Sequence, residues 1–159
     1  MFISESDNPL KADLKVHWIL VWSTVISLIV MLAVCEFYGE TWRQVMQEDQ
    51  RILIRTLFYV LVIIGFPLNN LLRHILLRLN QTMPGEKTAK QRYLLTVMMS
   101  LLFAETIAIL GVVMYLIGDD DNTLTIFAVL SGLAVFLYRP KVDEYQSIID
   151  ALRENKVTK

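Results

Sequence analysis

Glu105 is the side chain of this sequence that points most directly to chemistry. It stands in the middle of the run from Tyr93 to Ile117, which otherwise contains no Asp, Glu, Lys or Arg. An ionised carboxylate at a bilayer centre costs at least about 2.5 kcal/mol on insertion scales, so such a group faces a bundle interior and is protonated or tied to a donor. Two roles suit it: a proton- or cation-binding site, or a neutral acid that joins helices through one or two hydrogen bonds. At similar depth in other apolar blocks lie Ser27 and Ser131, with Tyr59 somewhat nearer the outside, and these three are its expected hydrogen-bond partners. His17 and His74 fall near block ends, where a solvated interfacial role is expected rather than metal binding. A single cysteine, Cys35, excludes an intramolecular disulfide and a Cys-based zinc site. There is no Gly-rich phosphate loop, no HExxH and no nucleophile elbow. No catalytic set, no metal site and no cofactor are therefore expected.

The elements that must carry Glu105 follow from composition. The chain has 159 residues, of which 55% are apolar and 19% charged, and its mean hydropathy is +0.48. Those values depart from a soluble domain. The apolar residues gather into four blocks, at about 16–37, 52–72, 93–117 and 123–138. Val16 to Cys35 alone holds 20 residues without Asp, Glu, Lys or Arg, enough helix to cross a hydrocarbon core of about 30 Å. The second block carries only Arg55, close to its start, where a long side chain can reach the headgroups. The fourth is short, and draws on flanking residues or a thinned bilayer. The fold class expected is all-α, an integral membrane four-helix bundle. A cytoplasmic N-terminal segment (1–15) precedes it and a cytoplasmic amphipathic tail (139–159) follows. With a formal net charge of −1 and its bases set beside apolar blocks, the chain has no footprint for nucleic acid.

Basic residues give an orientation. Lys11 and Lys15 precede the first block, Arg73, Arg78, Lys87, Lys90 and Arg92 lie between the second and third, and Arg139 and Lys141 follow the fourth. Placing all three regions in the cytoplasm needs an even number of spans and puts both termini inside a plasma (inner) membrane. The opposite side then holds Glu36, Glu40, Glu48 and Asp49, with Arg43 and Arg51, and the triplet Asp119, Asp120 and Asp121. Trp18, Trp22, Tyr38 and Trp42 fit interfacial anchoring.

Small residues mark expected packing faces. Ser100, Ala104, Ala108 and Gly111 share one face of the third block beside Glu105, and Ala128 with Gly132 gives the fourth a small-xxx-small face to set against it. Gly65-Phe66-Pro67 suggests a packing kink in the second helix, and Met83-Pro84-Gly85 a turn between the second and third. In the tail, Val142, Tyr145, Ile148, Ile149 and Leu152 recur at helical spacing. That face packs on its own bundle or the membrane interface, or else receives a partner.

Residues 103–113, Phe-Ala-Glu-Thr-Ile-Ala-Ile-Leu-Gly-Val-Val, resemble the ion-binding helix of ATP synthase subunit c. That resemblance implies an ion-binding carboxylate at Glu105. The layout of the whole chain resembles small four-span bacterial membrane proteins, a likeness that implies no particular activity. Leu32-Ala33-Val34-Cys35 is similar to a lipoprotein processing site, but Val34 is bulky before the cysteine and three more blocks follow, so a retained helix is expected. The resulting reading is a non-enzymatic accessory or interaction subunit of a membrane complex. Its partners are the lipid bilayer and either another membrane protein or further copies of itself. The alternative is a proton- or cation-linked transport component using Glu105.

Overall fold

A computed structural model describes residues 12–83 and 88–157. They form five helices, α1 (Lys15–Trp42), α2 (Glu48–Thr82), α3 (Ala89–Leu116), α4 (Asp121–Leu137) and α5 (Val142–Val157), with no strand among the described residues. Most of the N-terminal segment (1–15), and Pro84-Gly85 of the turn read above, lie outside the described residues. The helices run past the apolar blocks at most ends, because polar residues there continue the backbone ladder once the apolar stretch has nucleated it.

Local signals set several boundaries. Thr88 and Gln91 form a reciprocal capping box at the start of α3. Glu48 and Asp49 sit in the first turn of α2, where the helix dipole favours acids. The end of α3 is a Schellman motif: Asp119 N–H reaches the Met114 carbonyl and Gly118 N–H that of Tyr115, both at 3.1 Å. The motif needs a left-handed residue, and Gly118 supplies it with φ at 93°. At the start of α4, the Asp120 carboxylate accepts from Thr123 N–H at 2.8 Å. Helix α2 continues through Pro67 without a break.

Helix α3 is the hub, in contact with each of the other four helices, whereas α1 and α2 share few contacts with one another. Burial agrees: the most apolar window of α3 is 44% buried, that of α1 17% and that of α2 11%. Ser100, Ala104, Ala108 and Gly111 are all buried, and a Cβ on Gly111 would lie 2.6 Å from the Phe127 Cβ. The face of α4 that meets α3 is a different one from the face expected. Nothing lies within 4 Å of a Cβ built on Gly132, and Ala128 is only partly buried; Phe127, Ser131, Ala134 and Val135 form the seam instead. Bulk at Phe127 fills the notch left by Gly111, so a large residue against a small one replaces the expected meeting of small faces.

Helices α1, α2 and α3 are each long and apolar enough to cross a membrane. Helix α4, with 17 residues, passes that test only together with α5, from which it bends by 41°. The outward surfaces of α1 and α2 are strongly apolar, with Ile19, Trp22, Phe37, Leu53 and Ile63 each more than 60% exposed. Apolar faces of that extent are foreign to a water-soluble monomer and natural against lipid. The tail helix α5 folds back, packing on α2 and α3 with Tyr145 and Ile148 in the core. Its apolar face is thus used within the chain, which removes that face as a free docking surface.

Candidate functional site

Three polar groupings stand out, one in the middle of α3 and one towards each end. In the middle, Ser27 of α1 donates to Glu105 Oε2 at 3.4 Å in a half-buried setting. The other two expected partners go elsewhere. The Ser131 hydroxyl donates to the carbonyl of Ala104 at 2.8 Å, tying α4 to the far side of α3. The Tyr59 ring stacks on Phe127 at 5.1 Å. Glu105 therefore keeps one long hydrogen bond and faces α1. Helix rotation decides this: Ala104 and Ala108 point to α4, so the residue beside them is turned away from it.

The second grouping centres on Arg73 of α2, which is 4% exposed. Its guanidinium donates to Glu144 Oε2 at 2.6 Å, to Ser100 Oγ at 3.1 Å, to the Tyr138 carbonyl at 3.1 Å and to that of Arg139 at 3.4 Å. Tyr93, wholly buried at the start of α3, donates to the same carboxylate oxygen at 2.9 Å and accepts from Lys141 N–H at 2.8 Å. One cation thus satisfies a carboxylate of α5 and carbonyls at the end of α4, where the dipole favours positive charge. The sequence reading above placed Arg73 among the cytoplasmic bases between the second and third blocks and did not single out Glu144. The signal that could have found the site was Arg73 directly after an apolar block, with Tyr93 opening the next.

The third grouping lies at the C-terminal end of α3. Asp119 has a side chain 3% exposed, with Oδ1 at 3.1 Å from Arg55 and 3.7 Å from Arg51. Arg51 also donates to the Gly118 carbonyl at 2.8 Å, and Arg43 donates to the carbonyl of Asp119. The connection between α1 and α2 is pinned to the same place, Gln44 N–H reaching the Leu116 carbonyl at 2.7 Å. Arg55, read above as a headgroup-seeking side chain, turns inward because a buried carboxylate is the stronger attractor. Next to it, the backbone N–H of Thr123 holds the Asp120 carboxyl below the usual carboxylate range, aided by the Thr123 hydroxyl.

His17 departs most from expectation. It is wholly buried, and its ring lies 5.2 Å from that of Tyr93 and 6.4 Å from that of Tyr145. Folding back α5 covers an imidazole that would otherwise sit in the interface. Tyr145 in turn donates to Asp13 Oδ2 at 3.1 Å, and burial together with that carboxylate raises its hydroxyl to about 12. His74 stays exposed, as an interfacial residue would. Cys35 is buried within α1, which continues to Trp42. Among the described residues no three His, Cys, Asp or Glu side chains converge as metal ligands.

Chemically, the two end groupings are locks: each neutralises buried charge and joins at least three chain segments. Glu105 alone is only half committed. No protein-family model matches the chain, and neither the curated proteins nor the solved structures contain a significant match.

Proposed function

We propose that this chain is a multi-pass inner-membrane protein, both termini cytoplasmic, that serves as a non-enzymatic accessory or interaction subunit of a membrane complex. One observation carries the reading. Helices α1 and α2 are each long enough to span, yet they bury little of themselves and share few contacts, leaving broad helical faces for a neighbouring chain. The exposed Ser23 on α1 suits close helix approach by such a neighbour within a membrane. The basic clusters that flank the apolar blocks supply the orientation. A reporter active only in the cytoplasm works when fused after Lys159 and is silent near Asp120; the reverse pattern refutes the orientation. Extraction in mild detergent with neighbours attached tests the role. A stable heteromeric complex supports it, and a chain that runs only as a homo-oligomer counts against it.

The half-committed carboxyl of Glu105, with its single 3.4 Å bond from Ser27, favours a second reading, proton- or cation-linked transport. Glu105→Gln keeps size and hydrogen bonding but cannot ionise. Lost proton or sodium flux in vesicles with unchanged melting and partners would establish transport. A Gln variant with normal flux eliminates carboxylate-coupled transport.

A further inference from the structure

An open groove of about 740 Å³ runs along α2, closed on its other side by the end of α4 and the start of α5. It follows one face of α2 from Phe66 to Leu77, a length of about 16 Å. The two halves of its wall differ. Phe66, Leu71 and Leu137 make one half apolar, and they belong to the blocks assigned to the membrane; Arg73, His74 and Lys141 make the other half basic, just beyond those blocks. The groove therefore straddles the level at which acyl chains give way to headgroups.

Its basic half is built rather than incidental. Arg73 is held rigid by four hydrogen bonds, and its buried Nε has no partner among the described residues. Lys141 reaches Glu144 only at 3.9 Å and leaves 52% of its side chain exposed. Against these two cations, with the His74 imidazole beside them, the lining offers one carboxylate, Glu144, whose Oε2 is already taken by Arg73 and Tyr93. The surplus is positive, and it faces an apolar channel. Basic pockets between helices at a cytoplasmic interface are suited to anionic headgroups.

We infer that this groove binds an anionic phospholipid, its phosphate held by Lys141 and His74 beside the fixed Arg73, and an acyl chain lying along Phe66, Leu71 and Leu137. The inference rests on the membrane orientation proposed above, but not on the accessory role, and partner co-purification does not enter its test.

The test uses the full chain in mild detergent, presented with equal amounts of phosphatidylglycerol and phosphatidylcholine and read by native mass spectrometry. Phosphatidylglycerol should be retained preferentially. Lys141→Gln should reduce that preference about fivefold, and His74→Gln should reduce it in the same direction. Arg78→Gln, which removes an exposed charge outside the groove, should leave it unchanged. Both groove variants keep Arg73, so folding is preserved, and an unchanged melting temperature checks this. Equal retention of the two lipids overturns the inference, as does a loss as large in Arg78→Gln as in Lys141→Gln. Displacement of the lipid by inorganic phosphate at equal concentration would make the site one for a soluble anion and also overturn it.

Discussion

Around Glu144, towards the N-terminal end of α3, one arginine, Arg73, serves several acceptors, whereas around Asp119, at the C-terminal end, three arginines converge on one carboxylate and its neighbouring carbonyls. Arg73 is almost fully enclosed, with a side chain 5% exposed, while those of Arg43, Arg51 and Arg55 are 24%, 23% and 33% exposed. A buried cation serving several acceptors is a point of failure, because its loss removes a donor from Ser100 and the carbonyls following α4 together and leaves Glu144 with only Tyr93 and Lys141. Three partly solvated cations share their load, and each can be rehydrated when its partner goes. The vulnerable residue is thus the cation at one end and the anion at the other.

The comparison predicts a descending series of effects. Arg73→Met leaves the partly buried Glu144 carboxylate with only Tyr93 and the more distant Lys141 and should cost about 3 kcal/mol, the low end for a broken buried pair, read as thermal unfolding in detergent. Combining it with Glu144→Gln should restore part of the loss, and a double variant no better than the single would show that Arg73 acts through the carbonyls alone. Asp119→Asn should cost less, roughly 1.5 to 3 kcal/mol, since it removes the charged acceptor of the Arg55 hydrogen bond and the ion-pair partner of Arg51. Arg51→Gln at the same end should cost no more than about 1 kcal/mol. If Arg51→Gln matches Arg73→Met, the redundancy of that end is refuted.

Between the ends, Gly111→Ala drives a Cβ to within 2.6 Å of Phe127 Cβ and should cost about 1 to 3 kcal/mol through overpacking. Gly132→Ala meets nothing within 4 Å and should be neutral or slightly stabilising, since Ala is the better helix former. Equal melting of the two variants would mean that α4 presents its other face.

The smallest effect is that of pH at the α4 cap. The folded Asp120 carboxyl is depressed below its ordinary 3.8, so its contribution is complete above that value and lost as pH falls through the lower folded one. Wild type should lose a little stability on acidification below about pH 4, and Asp120→Ala should lack that increment. An acid dependence identical in both proteins would remove the cap from the account.

Much of the fold was legible because lipid-length apolar runs leave the backbone few alternatives to helix. The blocks at 16–37, 52–72, 93–117 and 123–138 lie within or nearly within the helices found. The candidate site was legible only in part. Glu105 and Ser27 were matched by depth, and they do meet. Ser131 sits at a matching depth but on the opposite side of α3, and depth says nothing about rotation around a helix.

By itself the sequence determined five helical segments, the caps that end several of them, the small-residue face of α3 and the apolar character of α1 and α2, since each follows from interactions within a few residues or from solvent preference. The tertiary structure alone decided that α5 folds back over His17, that Arg73 meets Glu144 across 71 positions of sequence, and that Asp119 draws Arg51 and Arg55 inward. A charged side chain carries no label for its partner. The pairing emerges only when the helices have packed and the remaining buried charges must be neutralised by whichever opposite groups the packing has brought within reach.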